Sequence, residues 1–213
     1  MNLSTPAALP RVDAADSREH SSPLAVGSVC ARHPPLATLI PDLRTDHVGE
    51  SGAVMIYRGI LAVTRDAGVR RFAHEHLATE SSHLARIEPL LAKQERSWLL
   101  PLWRVAGWLT GALPALVGPR AVYATIEAVE TFVDQHYAGQ IASIDRHDPL
   151  QADPHLQQTR SLLQACRHDE IAHRDEAGGL FASCGGAPSL VLRAWLWSLG
   201  AGSRLAVAVC RRV

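Results

Sequence analysis

The sequence carries no excess of charge: 21 Lys and Arg balance 21 Asp and Glu, and no long basic run breaks the balance, which argues against a nucleic-acid binder. Cysteine is scarce as well. Cys30, Cys166, Cys184 and Cys210 form neither Cys-x-x-Cys nor an even framework of spacings, so free thiols in a reducing compartment are expected, with no chemistry assigned to them. There is no Gly-x-Ser-x-Gly elbow, no P-loop and no dinucleotide Gly fingerprint, so a nicotinamide electron donor such as NADH would have to be used without a dedicated binding domain. No secretory apolar core opens the chain, and Asp13, Asp16 and Glu19 argue against an organelle transit peptide. Residues 1–38, rich in Pro, Ser and Ala and without periodicity, read as a flexible N-terminal arm; residues 39–213 read as one domain with a sizeable core.

What the sequence does contain is Glu-x-x-His twice, Glu80 to His83 and Glu170 to His173, each preceded by a lone glutamate, Glu50 and Glu130, in an apolar helical stretch. Composition alone gives about half an occurrence of the motif in a chain of this length, so the pair is informative mainly through its spacing. Glu50 and Glu80 lie 30 residues apart, Glu130 and Glu170 lie 40 apart, and both midpoints fall on breakers, Thr64 to Gly68 and Asp145 to Pro154. A helix that turns at the midpoint and returns brings the two glutamates to one height, because equal residue counts cover equal length. Positions i and i+3 share a helix face, so each motif offers a carboxylate and an imidazole to one point.

The apolar rows agree. Ala53, Tyr57, Ile60 and Leu61 continue the face of Glu50, and Ile126, Val129, Val133, Tyr137 and Ile141 surround Glu130. Phe72, His76, Ile87 and Leu91 share a face with Glu80 and His83; Leu156, Leu163, Cys166 and Ala177 flank Glu170 and His173. All six groups therefore point inward, where an ionised carboxylate costs several kcal/mol unless paired or bound to metal. Four glutamates are neutralised by two divalent cations, which predicts a four-helix bundle around a di-metal centre. The oxygen-rich donor set favours iron or manganese over structural zinc. Glu80 and Glu170 are expected to bridge, Glu50 and Glu130 to be terminal, and each cation to take one His. Asp46, one turn before Glu50, is the candidate to orient an imidazole, with helix capping as the alternative. The triplet His74-Glu75-His76 lacks the second His of a zinc-protease helix, since Ala78 stands there, and reads as surface residues that cap or solvate the helix.

All five tryptophans fall in two apolar segments outside these four helices: Trp98, Trp103 and Trp108 between the hairpins, and Trp195 and Trp197 within Leu190 to Cys210. Each segment has transmembrane length but carries charge in its interior, Arg104 in one and Arg193 and Arg204 in the other. They are expected to lie in one leaflet, with Trp at the membrane interface, rather than to span it. The alternative is that both pack on the bundle as core.

Together these residues resemble a family, the demethoxyubiquinone hydroxylases of ubiquinone biosynthesis. The likeness rests on Asp46-His47-x-Gly49-Glu50-x-Gly52-Ala53 with Ile56-Tyr57-x-Gly59, Glu80-x-x-His83, Pro101-Leu102-Trp103, Val129-Glu130, His136-Tyr137 and Asp169-Glu170-x-x-His173-x-Asp175. The resemblance implies an all-α, ferritin-like di-iron monooxygenase with the six ligands carried over position by position, and His136 and Tyr137 near the substrate or on the electron route. It further implies a polyprenyl benzoquinone substrate, dioxygen, a membrane lipid surface, and assembly as a homo-oligomer or in a ubiquinone-biosynthesis complex. Ser51, where an aromatic is frequent, and Thr131, where a second Glu often follows, depart from the pattern without removing a ligand. The expected location is the cytoplasmic side of a bacterial inner membrane, with the matrix side of the mitochondrial inner membrane as the alternative. Two other readings share features with this one: a ferritin-like iron oxidase or peroxidase, which needs the same ligands but not the Trp-bearing segments, and a non-catalytic membrane-associated scaffold, which needs the surface but not the ligands.

Overall fold

The computed structural model describes residues 37–213, so the expected arm, apart from its last two residues, and Cys30 lie outside the described residues. These contain six α-helices and no strand. Helix α1 (Ile40–Val63) ends at Thr64, whose extended backbone turns the chain; Asp66 then caps α2 (Ala67–Ile87) by accepting from the Val69 amide. Two 3₁₀ turns, Glu88–Leu90 and Lys93–Glu95, lead into α3 (Leu100–Val117). Gly118, with φ of 130°, sets the corner into α4 (Pro119–His147), and Pro119 occupies the first turn, where its missing N–H is harmless. Asp153 accepts from the His155 and Leu156 amides to start α5 (Pro154–Ser183), and Ser189 accepts from Leu192 to start α6 (Leu190–Cys210). Each such cap stabilises a helix start by about 1 kcal/mol.

The α1–α2 and α4–α5 hairpins form the four-helix bundle, with α3 as the crossover between them. Two apolar clusters fill it. One, with Leu43, Ile87, Ile144 and Leu163, lies toward the α4–α5 loop; the other, with Ile60, Phe72, Val122 and Ile126, lies toward the α1–α2 loop. Burying a Leu, Ile or Phe side chain contributes about 1.5–3 kcal/mol, so the two clusters carry the fold and fix the height at which the hairpins meet. On the outside, Asp134 receives both Arg167 (2.7 Å) and Arg174 (2.8 Å), tying α4 to α5.

Helix α3 lies along α1 at backbone contact. A Cβ on Gly111 would stand 1.9 Å from the Ile56 carbonyl oxygen, and one on Gly59 would stand 2.2 Å from that of Trp108. The opposite face of α3 is left to solvent, exposing Leu102, Val105, Leu109, Leu113, Leu116 and Val117. By length and composition α3 is apolar enough to cross a membrane. Its glycine seam shows that one face packs on the bundle, as the second expectation for this segment held, while the other face is apolar and exposed. Helix α6 is fastened at both ends: the Trp195 Nε1 donates to Thr125 Oγ1 at 2.9 Å on α4, and Arg211 donates to Asp42 on α1. The tryptophans accordingly divide. Trp98 and Trp197 are exposed and Trp108 lies at the surface, whereas Trp103 and Trp195 are half-buried and line a cleft between α3 and α6.

Candidate metal centre

Between the two apolar clusters, Glu50 on α1, Glu80 and His83 on α2, Glu130 on α4 and Glu170 and His173 on α5 converge, all buried. Their candidate ligand atoms form two groups, each with atoms within 4.8 Å of one another: Glu50, Glu80, His83 and Glu170, then Glu80, Glu130, Glu170 and His173. Glu80 and Glu170 belong to both. The His83 Nδ1 lies 3.1 Å from Glu170 Oε1 and 3.6 Å from Glu50 Oε2; the His173 Nδ1 lies 3.1 Å from Glu80 Oε1.

These atoms face one another without hydrogen-bonding alignment. Glu50 Oε2, Glu80 Oε1, both Glu170 oxygens and the Nδ1 atoms of His83 and His173 are buried with no hydrogen-bond partner among the described residues. Lone pairs gathered in this way repel unless protons or cations stand between them. The donor set fits a pair of divalent cations, since four carboxylates and two imidazoles balance their charge and the orphaned atoms are the ones such cations would occupy. With side chains alone, burial and the neighbouring carboxylates push Glu80 and Glu130 well above the usual carboxylate range, and burial and Glu80 push Glu170 up to about 8. Burial works to lower His83, but the close carboxylates of Glu170 and Glu50 outweigh it and raise it to about 12; burial, His76 and His83 lower His173 to about 3.

The surrounding shell fixes orientation. The His83 Nε2 lies 3.0 Å from Asp169 Oδ2, which holds that nitrogen as an N–H and turns Nδ1 inward, where a cation would displace its proton. Tyr137 donates to Glu50 Oε1, and Tyr57 donates to Glu130 Oε1 at 2.9 Å. The two tyrosines cross between hairpins, and each follows a lone glutamate by seven residues, Glu50 to Tyr57 and Glu130 to Tyr137. Burial holds both phenols well above their ordinary pKa, so they are donors throughout the physiological range.

Asp46 sits inside α1 rather than at its start, which removes the capping alternative. The imidazole it meets is that of His136 (3.2 Å), not of His83 or His173, and its Oδ1 also accepts from Gln140 at 2.7 Å. His136 further lies 2.9 Å from Thr45 Oγ1. The expectation that His76 is a surface residue is wrong. It is 2% exposed and stacks on His173 with ring centroids 3.9 Å apart, while His74 and Glu75 are exposed as expected. The helical row that placed His76 beside Glu80 was the better guide. Tyr57 and Asp169 received no role from the sequence; the repeated seven-residue Glu-to-Tyr spacing was the signal for Tyr57.

A small cavity of about 60 Å³ touches Glu50, Glu80, Glu130, Glu170, His136 and Tyr137. It adjoins an apolar cleft of about 370 Å³ between α3 and α6, and Thr45, Gly49, Ala53, Phe132, Val133 and Val207 line both. Small-molecule pockets run to roughly 300–1,000 Å³, so the cleft is of binding size, and only the shared wall residues stand between it and the cavity at the glutamates.

Two Glu-x-x-His helices and two single-Glu helices meeting at one buried point define a class, the ferritin-like carboxylate proteins, whose buried groups can hold metal. The chain belongs to the family of ubiquinone biosynthesis protein COQ7, which it matches over residues 38–210. It is 38% identical over 184 residues to the 3-demethoxyubiquinol 3-hydroxylase of Rhodospirillum rubrum, covering 84% of this chain and 80% of that one. It is 33% identical over 135 residues to the mitochondrial NADPH-dependent 3-demethoxyubiquinone 3-hydroxylase of Homo sapiens, covering 62% and 60%. Against the mitochondrial 5-demethoxyubiquinone hydroxylase of Saccharomyces cerevisiae the identity is 31% over 150 residues, 63% of each chain.

Proposed function

We propose that this chain is a di-iron monooxygenase that hydroxylates the ring of a polyprenylated demethoxybenzoquinone or its quinol in ubiquinone biosynthesis. The observation that carries the reading is an apolar cleft that shares a wall with the small cavity beside the buried Glu/His cluster. Glu50 and His83 would hold one iron, Glu130 and His173 the other, and Glu80 and Glu170 would bridge them. Bound there, iron supplies the redox chemistry that activates dioxygen, one oxygen atom entering the ring as hydroxyl and the other leaving as water. The two electrons this requires come from outside, a reduced nicotinamide such as NADH or NADPH being the proposed donor.

The chain's own residues supply position and protons. Gly49 and Ala53 keep the wall between cleft and cluster thin, so a planar ring can approach the carboxylates, while Phe132 and Val133 offer it an apolar face and exclude water. Tyr137 fixes Glu50, and His136, held by Asp46 and Thr45, stands at the cavity wall as the group to move a proton at the ring oxygen. The exposed apolar side chains of α3 and α6, Trp108 and Trp197 among them, together with Trp98 just before α3, are proposed to rest in the cytoplasmic leaflet of a bacterial inner membrane, so that a polyprenyl tail passes into the cleft without crossing water. Residues 39–213 form the hydroxylase unit in this reading.

The test is iron content per chain followed by oxygen-dependent hydroxylation of demethoxyubiquinone. Two irons with turnover are expected. Iron without quinone turnover would favour an iron oxidase, and no iron would favour a scaffold. Glu130→Ala should lose iron while its helical circular dichroism is retained; unchanged iron content would remove Glu130 from the ligand set.

A further inference from the structure

The two candidate cation positions share Glu80 and Glu170 but differ in what holds their private ligands. In the first, Asp169 meets His83 and Tyr137 meets Glu50. In the second, both private groups lead back to one residue, His76 on α2. Its ring is gripped between Phe72 (centroids 4.0 Å apart) and His173 (3.9 Å, interplanar angle 23°). Its Nδ1 lies 3.1 Å from the Tyr57 hydroxyl, which donates to Glu130 Oε1 at 2.9 Å, and its Nε2 lies 3.0 Å from Glu176 Oε2 at the half-exposed end of the chain of contacts.

Each contact constrains a different freedom. Stacking fixes the plane of the His173 ring and therefore the direction of its Nδ1. A hydrogen bond to one oxygen of a terminal carboxylate fixes the carboxylate plane and leaves the other oxygen as the ligand atom. The carboxylate of Glu176 in turn orients the His76 ring, as outer-layer acids commonly do for imidazoles. We infer that His76, with Tyr57 and Glu176, is a positioning device for the second cation position alone, setting Glu130 and His173 together. This rests on the reading of the six groups as ligands of two cations.

The experiment is anaerobic titration of the intact chain with Fe(II) alone, against a competing chelator so that two affinities are resolved. His76→Ala should weaken one of the two positions by roughly 10- to 100-fold and leave the other unchanged. Tyr57→Phe, which keeps the ring and removes the hydroxyl, and His76→Phe, which keeps the stack and removes both nitrogens, should weaken the same position by less; Glu176→Gln should have the mildest effect. Circular dichroism of each variant checks that the bundle persists. Mössbauer spectra of iron-57 loaded protein should show one of two iron signals altered, which a general loosening of the fold would not produce. Asp169→Asn should weaken the other position. The inference is overturned if folded His76→Ala weakens both positions equally or neither, or if it weakens the same position as Asp169→Asn. Two irons in the unaltered chain with the same two affinities in every His76 and Tyr57 variant would defeat this inference alone, whereas no iron in the unaltered chain would defeat the di-iron reading and this with it.

Discussion

Glu170 is held up to about 8 by burial and Glu80, and His83 is raised to about 12 by Glu170 and Glu50 against the effect of burial. Between pH 7 and 8.5 the folded chain stripped of metal therefore keeps the proton on His83 and gives up that on Glu170 only near pH 8, whereas the unfolded chain, with ordinary values of 6.5 and 4.5, has largely released both. Stability of the stripped protein falls as pH rises through that window, because the folded state binds more protons. The lowered imidazole of His173, which acts in the opposite sense, titrates below the window, at about 3 when folded. Cations displace the retained protons, so metal binding tightens with pH over the same range. Thermal unfolding of chelator-treated protein should thus fall in temperature from pH 7 to 8.5, and iron-loaded protein should not follow it; a stripped protein that gains stability with pH would contradict the charge balance. The six ligand candidates were legible because carboxylates and imidazoles on the apolar faces of helices are costly to bury without a cation between them. His76 and Tyr57 were harder to read. Each has an ordinary role as core or helix surface, and only the crossing of hairpins places the Tyr57 hydroxyl against a carboxylate 73 residues away.

Among the helices, the seam between α1 and α3 is the least tolerant contact. Gly111 and Gly59 admit the opposing carbonyl groups, and a methyl on Gly111 would collide with backbone rather than with a side chain able to turn aside. Gly111→Ala is expected to destabilise the fold by about 1–3 kcal/mol through overpacking, lowering the unfolding temperature by roughly 2 to 12 °C for a chain of this size. Calorimetry of the two proteins measures it, and equal unfolding temperatures would mean the helices do not touch at this point. Helix α6 was expected over Leu190 to Cys210 and has those bounds, because Ser189 caps it and no proline interrupts it. The 3₁₀ turns over Glu88–Leu90 and Lys93–Glu95 were not foreseen, since a short segment with Pro89 has no period to read. Nor could periodicity tell that Trp195 turns inward, which depends on Thr125 lying opposite on α4.

The bundle with its Glu/His cluster could be read from spacing; the cleft could not, since its walls come from four helices and its openness depends on how α6 lies across α1 and α4. The apolar faces left outside are a whole-molecule property. Leu116 is 72% exposed and Val117 is 80% exposed, both at the end of α3. The double substitution Leu116→Asp with Val117→Asp should reduce partition onto phosphatidylglycerol vesicles by roughly tenfold or more, the loss expected when apolar contact of this size is replaced by charge. Cosedimentation gives the partition, and iron content should not change because neither residue approaches the cluster; unaltered partition would remove this end of α3 from the proposed lipid-facing surface.

Each candidate cation position draws on three helices and on both hairpins: α1, α2 and α5 for the first, α2, α4 and α5 for the second. Neither half of the chain contains a complete position. A molecule whose halves had docked one turn out of register would separate Glu80 from Glu170 and could load neither cation. Occupancy therefore doubles as a certificate of correct assembly, and misfolded copies would be recognisable as the ones that stay empty.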